Sequence, residues 1–246
     1  MYLHGVSITK RKQDIMKKLK TLMLLMAVML TAVTLQSCDD DNDYYPSFNL
    51  ATVTLKAPYG EGAKWFMQLD DSTVIYAKNI ASHPYDNKEL RAYIRYNELE
   101  MNMASSKFPP EYTANILTID TILTKKMDPM VENMAGEYGN DPVEVVNSWE
   151  TVAEDGYMNI RFRTRFGYNG KHRVTLVHRT DVEDPYTVEF IHNANGDING
   201  QVADGMVAFR LDDCFNEGDK PIEITLKWNS YSGEKSAKFK YIPRKE

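Results

Sequence analysis

The sequence predicts an all-β chain of two modules, and three observations carry that expectation. Short runs of alternating apolar and polar residues recur from Ala51 to Ile242. Gly, Asn, Asp and Pro separate those runs, and the rhythm breaks once, between Lys125 and Asn147. A period of two is the mark of a strand with one buried face. Five runs in roughly 75 residues precede the break and suit a small closed barrel such as an OB-fold. About seven follow it at hairpin spacing and suit an antiparallel β-sandwich. The expected spans are 48–126 for the barrel, 127–142 for a connector and 143–246 for the sandwich.

In the first module Ala51, Val53 and Leu55 alternate with Thr52, Thr54 and Lys56, and Trp65, Met67 and Leu69 with Phe66 and Gln68. Thr73–Lys78, Leu90–Tyr96 and Ile116–Leu123 complete the five. Pro58-Tyr59-Gly60, Asp70-Asp71, His83-Pro84 and Pro109-Pro110 supply the turns. In the connector Met127, Met130, Val131 and Met134 have helical spacing, but Asp128-Pro129, Gly136, Gly139 and Asp141-Pro142 limit it to a turn or two of helix. The clearest strand of the second module is Tyr157–Phe166. Met158, Ile160, Phe162, Thr164 and Phe166 face one way; Asn159, Arg161, Arg163 and Arg165 form the other, wet face. Val143–Val152, His172–Arg179, Tyr186–His192, Val202–Leu211, Ile222–Trp228 and Ala237–Ile242 are the remaining strands.

The N-terminus reads as a targeting segment. Met16-Lys17-Lys18-Leu19-Lys20 is a positive n-region before the apolar stretch Thr21–Leu35. That stretch is shorter than the roughly 20 apolar residues needed to span a bilayer. Leu35-Gln36-Ser37-Cys38 then resembles a lipobox, which implies a signal peptide over 1–37, cleavage between Ser37 and Cys38, and lipidation of Cys38. Residues 1–15 only extend an n-region that Met16 already starts, so translation is expected to begin at Met16. The acidic run Asp39, Asp40, Asp41, Asn42, Asp43 makes 38–47 a solvated tether. The same run is similar to the acidic surface-export signal of lipoproteins in some Gram-negative gut anaerobes. The expectation is an outer-membrane lipoprotein, surface-exposed or else facing the periplasm.

Removing 1–37 takes away six basic residues and one acid, leaving a net charge of −11 where the whole chain carries −6. That excludes a phosphate-binding surface of the nucleic-acid kind and disfavours binding to anionic lipid. With Cys38 lipidated, Cys214 has no disulfide partner. Its neighbours Asp212 and Asp213 blunt thiolate chemistry.

The motifs in chain order resemble the NigD-like lipoproteins. They are the lipobox with its acids, Asn49-Leu50-Ala51-Thr52-Val53, Gln68-Leu69-Asp70-Asp71-Ser72, Ile122-Leu123-Thr124-Lys125, Gly156-Tyr157-Met158-Asn159-Ile160 and His192-Asn193-Ala194-Asn195-Gly196-Asp197. The resemblance covers essentially the whole mature chain. It implies an N-terminal OB domain followed by a C-terminal β-sandwich. Ser72 stands where the resemblance leads one to expect glycine. The family name derives from a bacteriocin gene cluster, which implies an immunity role, and the resemblance carries over no catalytic residue.

Residue constellations that carry chemistry are sparse. Asn193, Asn195, Asp197 and Asn199 present oxygens at alternate positions, with Asp204 where a closing acid would stand in a calcium loop. Asn195-Gly196 is, however, a type I′ hairpin signal, and that reading is preferred. His172, His178 and His192 lack zinc-ligand spacing, so neither metal nor cofactor is expected. Arg161, Arg163 and Arg165 form a row that suits an acidic ligand, against the plainer reading of a solvated, ion-paired face. Trp65, Trp149, Trp228, Tyr231 and Tyr241 could stack on sugars; all but Tyr231 fit alternating strand positions and are expected to fill the core.

The function expected is a non-enzymatic binding or accessory lipoprotein with a protein or glycan partner outside the cell, bacteriocin immunity being a specific version. The alternatives are a carbohydrate-binding lipoprotein and a glycan- or envelope-acting hydrolase. The hydrolase would need two carboxylates converging in a cleft, one with a raised pKa.

Overall fold

The computed structural model describes residues 48–102, 111–167, 170–211, 213–215 and 220–244. The signal peptide, Ser37, Cys38 and the acids Asp39, Asp40 and Asp41 lie outside the described residues.

The barrel forms where alternation is strictest. Its strands are β1 (Asn49–Lys56), β2 (Phe66–Gln68), β3 (Val74–Ala77), β4 (Leu90–Met101) and β5 (Glu111–Thr121), closed in the order β1-β2-β3-β5-β4. All neighbours are antiparallel except the parallel pair β3–β5. Val53, Leu55, Met67, Ile75, Ala92 and Ile94 fill the interior and are fully buried. Long β4 bends through register irregularities between Arg95 and Tyr96 and between Asn97 and Glu100, with Glu98 at φ 52°. Bulges of this kind add the twist a five-stranded sheet needs to close.

After the single residue Ile122 the chain enters β6 (Leu123–Lys126), which pairs in parallel with β12 (Gln201–Arg210). By hydrogen bonding β6 thus belongs to the sandwich, although its sequence continues the barrel's last run. The connector contains one five-residue helix, α1 (Met134–Tyr138), and the Asn133 side chain accepts from the Gly136 N–H at its start.

The sandwich has two sheets. One has the order β6-β12-β9-β7, with β7 (Glu144–Val145) and β9 (Tyr157–Phe166); β8 (Val152–Glu154) also pairs with β9. The other is β10-β11-β13-β14, with β10 (Arg173–His178), β11 (Thr187–Asn193), β13 (Ile222–Ser230) and β14 (Gly233–Tyr241). Met158, Ile160, Phe190, Phe209 and Leu226 meet between them in one core.

Three expectations need correction. The sandwich is not wholly antiparallel, because β6–β12 and β11–β13 are parallel. The chain leaves one sheet at β11, runs through β12 in the other and returns at β13. Two reversals bring it back parallel to where it left. The Asn195-Gly196 turn has positive φ at both residues, 50° and 82°, as a type I′ turn requires. It joins β11 to β12 across the two sheets, however, rather than making a hairpin. Finally, Val143–Val152 is not one strand. Its ends are β7 and β8; Val146 still donates its N–H to the Arg161 carbonyl at 2.8 Å, and residues 147–151 leave the ladder.

The outer face of β9 is wet only at its far end, where Arg163 and Arg165 are exposed. At its start Tyr157 and Asn159 are fully buried, because the barrel covers them. The centre of that junction is Arg91 of β4, whose side chain has no solvent exposure. Its Nη1 donates to Thr54 Oγ1 at 2.9 Å, its Nε to Asn159 Oδ1 at 3.2 Å and its Nη2 to Glu154 Oε1 at 2.6 Å. The Tyr157 ring lies beside it, with the guanidinium carbons of Arg91, Arg210 and Arg244 at 5.7, 5.6 and 4.9 Å from the ring centroid. Tyr157 donates its hydroxyl to Glu89 at 2.7 Å, and Lys56 pairs with Asp155 at 2.7 Å. Breaking a buried ion pair by removing one partner costs about 3–5 kcal/mol, because the other charge is left uncompensated. Arg91→Met should therefore lower the urea-unfolding free energy by about that amount, and adding Glu154→Gln should recover part of it. A loss below about 1 kcal/mol for the single variant would show that Arg91 is not a stabilising hub.

Candidate functional site

The arginine row is built by the β9–β12 ladder. Asp204 of β12 stands directly opposite Arg163 in register. Its Oδ2 accepts from Arg161 Nε at 2.9 Å and Nη2 at 2.6 Å, and its Oδ1 accepts from Arg163 Nε at 2.6 Å. Arg161 also donates to Glu150 at 3.1 Å. The hydrogen bond from Arg163, working against burial and joined by that from Arg161, holds the Asp204 carboxyl down at about 2. Arg165 donates to the Gly200 carbonyl at 3.4 Å. The structure thus brings Arg161 and Arg163 together around one acid and leaves Arg165 at the edge of the face.

Beside this row lies a pair that the alternation pattern concealed. Trp149 sits in the segment that leaves the ladder between β7 and β8, and it is 54% exposed. It does not fill the core as its position in Val143–Val152 suggested. Its indole stacks on Tyr93 of β4, with centroids 5.8 Å apart and planes at 24°. A shallow cleft of about 200 Å³ opens between Tyr93, Glu150, Arg161 and Asp204. A second of about 330 Å³ has Trp149, Tyr96, Asp70 and Glu154 among its walls. Gly205, beside the first cleft, leaves room on the core side for the Phe162 ring: a Cβ there would lie 2.4 Å from Phe162 Cζ. The other aromatics divide. Trp65, Trp228 and Tyr241 are core, and Tyr231 is 53% exposed with its hydroxyl 3.1 Å from Thr164 Oγ1.

The second cleft meets one condition for acid–base chemistry and fails another. Burial raises Glu154 despite the Arg91 charge, and Asp71 and Asp70 add to the rise. Burial also pushes Asp70 up, but hydrogen bonds from Ser72 and Thr73 outweigh it and hold that carboxyl low. Two carboxylates of split acidity therefore share the cleft. Both have structural work, however. Asp70 Oδ1 accepts from Ser72 N at 2.8 Å, Ser72 Oγ at 3.1 Å and Thr73 N at 2.6 Å. Glu154 holds Arg91. The arrangement suits ligand contact at the rim better than proton transfer.

The histidines come together in part. His172 Nδ1 lies 2.8 Å from His192 Nε2, and His172 Nε2 lies 3.4 Å from Asp197 Oδ2. All three side chains are buried. His178 is elsewhere and bonds the Pro185 carbonyl at 2.7 Å. Asp197 accepts from the Gly167 N–H at 2.9 Å and so pins the turn from within. Asp204, the acid that would close a calcium loop, is held by the arginines instead. Among the described residues no group of three or more His, Cys, Asp or Glu is arranged to hold a metal ion. Cys214 is free and exposed; burial first, and then Asp213, raise its thiol.

Comparison with known proteins agrees with this architecture. A family model described as the NigD-like N-terminal OB domain matches residues 52–122, and one described as the NigD-like C-terminal beta sandwich domain matches residues 126–241. The chain belongs to the NigD-like family. A Parabacteroides distasonis crystal structure, provisionally described as a toxin-related protein, is 26% identical to this NigD-like chain at a TM-score of 0.62, covering 80% of this chain and 94% of that one. A NigD-like immunity protein from Bacteroides caccae is 23% identical at 0.55, covering 82% and 100%. A Bacteroides fragilis protein, provisionally described as a lipoprotein, is 15% identical at 0.57, covering 81% and 100%. The last two are likenesses of fold. No curated protein matches the chain. Among the described residues no helix is long and apolar enough to cross a membrane.

The buried pair gives this NigD-like protein a pH dependence. Burial, and then the charge of His172, hold His192 below its ordinary value of 6.5, with Asp141 opposing. Below 6.5 the unfolded chain therefore binds the proton more readily than the folded one. The stability contribution is complete above that value and is lost as pH falls through the folded pKa. The urea midpoint should drop between about pH 7 and 5, and His192→Gln should flatten that part of the profile. A wild-type midpoint unchanged over this interval would contradict the assignment.

Proposed function

We propose that the chain is an exported, lipid-anchored binding module with no chemistry of its own, held through Cys38 at the outer membrane with its two β modules outside the cell. The observation that carries the reading is Trp149: a large aromatic side chain held in place by stacking yet half exposed, beside arginines already oriented by Asp204. Side chains fixed before the ligand arrives lose little freedom on binding. Exposed aromatics and arginines are the residue types that dominate binding energy at interfaces. The lipobox supports the anchor, and Asp39, Asp40 and Asp41 support surface exposure. The partner is an extracellular or outer-membrane protein or a glycan. Kinship with proteins described as an immunity protein and as toxin related favours a toxin among the protein partners.

Two measurements test this. An alkyne-bearing fatty acid fed to cells should label the wild-type protein and not Cys38→Ala, and protease added to intact cells should remove a C-terminal tag. Label on the Cys38→Ala chain would rule out the anchor, and a protected tag would rule out the surface. Mild crosslinking on intact cells should then recover one defined partner. Trp149→Ala and Arg163→Glu should each lose it while shifting the urea-unfolding free energy by less than about 1 kcal/mol, as exposed substitutions do. Recovery undiminished in both variants would move the binding surface elsewhere.

A further inference from the structure

We propose that the outer face of the barrel carries a groove for a neutral oligosaccharide, separate from the Trp149 surface. The inference depends on the binding-module reading only for delivery of the chain to the cell exterior. Phe66 of β2 and Tyr76 of β3 point outward because their neighbours Met67 and Ile75, paired in register, fill the barrel. Their rings are 6.3 Å apart at 52°. Thr113 of β5 pairs with Tyr76 in register. Tyr59, on the connection between β1 and β2, is 93% exposed and so contributes almost nothing to any core. With Lys64 and Lys78 these residues line a groove of about 810 Å³. That lies within the roughly 300–1,000 Å³ of ordinary ligand sites.

Charge decides the ligand class. Lys78 lies 2.8 Å from Glu100 and 3.9 Å from Glu98, and Glu111 also lines the groove. The two lysines of the groove are therefore offset by Glu111 in its lining and by Glu98 and Glu100, which pair with Lys78 beside it. A nucleic acid or a polyuronate would meet no net positive field there. A wholly apolar ligand would bury Lys64 and the Thr113 hydroxyl without compensation. A sugar chain fits both halves of the lining. Its C–H faces lie against Tyr59, Phe66 and Tyr76, and its hydroxyls exchange hydrogen bonds with Thr113 and the lysines.

The test titrates the protein, purified in detergent in whatever form the cell makes it, with neutral hexasaccharides of β-1,4-glucan, mannan and xylan, using hexagalacturonate as the charged comparator. At least one neutral hexasaccharide should bind, hexagalacturonate should not, and added salt should leave the affinity unchanged. Tyr59→Ala, which at that exposure cannot disturb the fold, should weaken binding about fivefold, the scale of one lost aromatic contact. Trp149→Ala should leave it unchanged. Absence of binding to every neutral hexasaccharide overturns the groove, as does wild-type affinity in Tyr59→Ala. Saccharide binding lost in Trp149→Ala but kept in Tyr59→Ala overturns it as well and assigns the glycan to the other surface. Failure of lipid labelling or of surface exposure would leave this titration untouched, so the two readings fail separately.

Discussion

The joint between the barrel and the sandwich is centred on a buried arginine. Arg91 belongs to the barrel by sequence and to the sandwich by its partners: Thr54 on one side, Asn159 and Glu154 on the other. Removing a guanidinium from water is expensive, and only a nearly complete set of acceptors offsets it. Those acceptors come from two modules, so the offset exists only when barrel and sandwich are in one fixed register. Two apolar faces would slide over each other at little cost; Arg91 fixes their alignment. The surrounding set of Lys56, Glu89, Asp155, Tyr157 and Arg244 extends the same logic to the rim.

That fixed register is also what creates the exposed surface. Tyr93 and Arg91 lie on the same outer face of β4, two residues apart. Once Arg91 is docked, Tyr93 stands at the edge of the junction, where it meets Trp149 from the sandwich. Neither module could form the Tyr93–Trp149 stack alone. The exposed Tyr93–Trp149 surface is thus a by-product of how the two halves are joined, and a change at the junction would be felt there.

The barrel was legible in the sequence because its information is local. Each of its runs alternates, each is closed by turn residues, and Val53, Leu55, Met67 and Ile75 lie where a period of two puts them. What alternation could not disclose is partnership. A strand's pattern names the faces but not what covers them, so Asn159 read as a wet-face residue and became buried when another module covered that face. The parallel pairs of β6 with β12 and of β11 with β13 were invisible for the same reason. Trp149 was misread because apolar spacing persists from Val143 to Val152 although the middle of the run makes no ladder. The polar pair Asn147-Ser148 just before it was the available warning. The His172–His192 contact comes from the antiparallel β10–β11 ladder, which sets Val174 opposite His192, and spacing alone does not report that register.

The direct passage from β5 to β6 has a kinetic consequence. All barrel pairings fall between residues 49 and 121, whereas β6 waits for β12, whose matching residues begin at Val207. For a chain that emerges N-terminus first, closure of the barrel precedes any chance of completing the sandwich. During that interval Arg91 sits on the outside of a finished barrel, hydrated and without its two sandwich acceptors. Its dehydration is deferred until β9 and β8 dock, a step that joins residues some 60 positions apart, such as Arg91 and Glu154. A chain truncated before that step would leave behind a soluble-faced barrel rather than an exposed core.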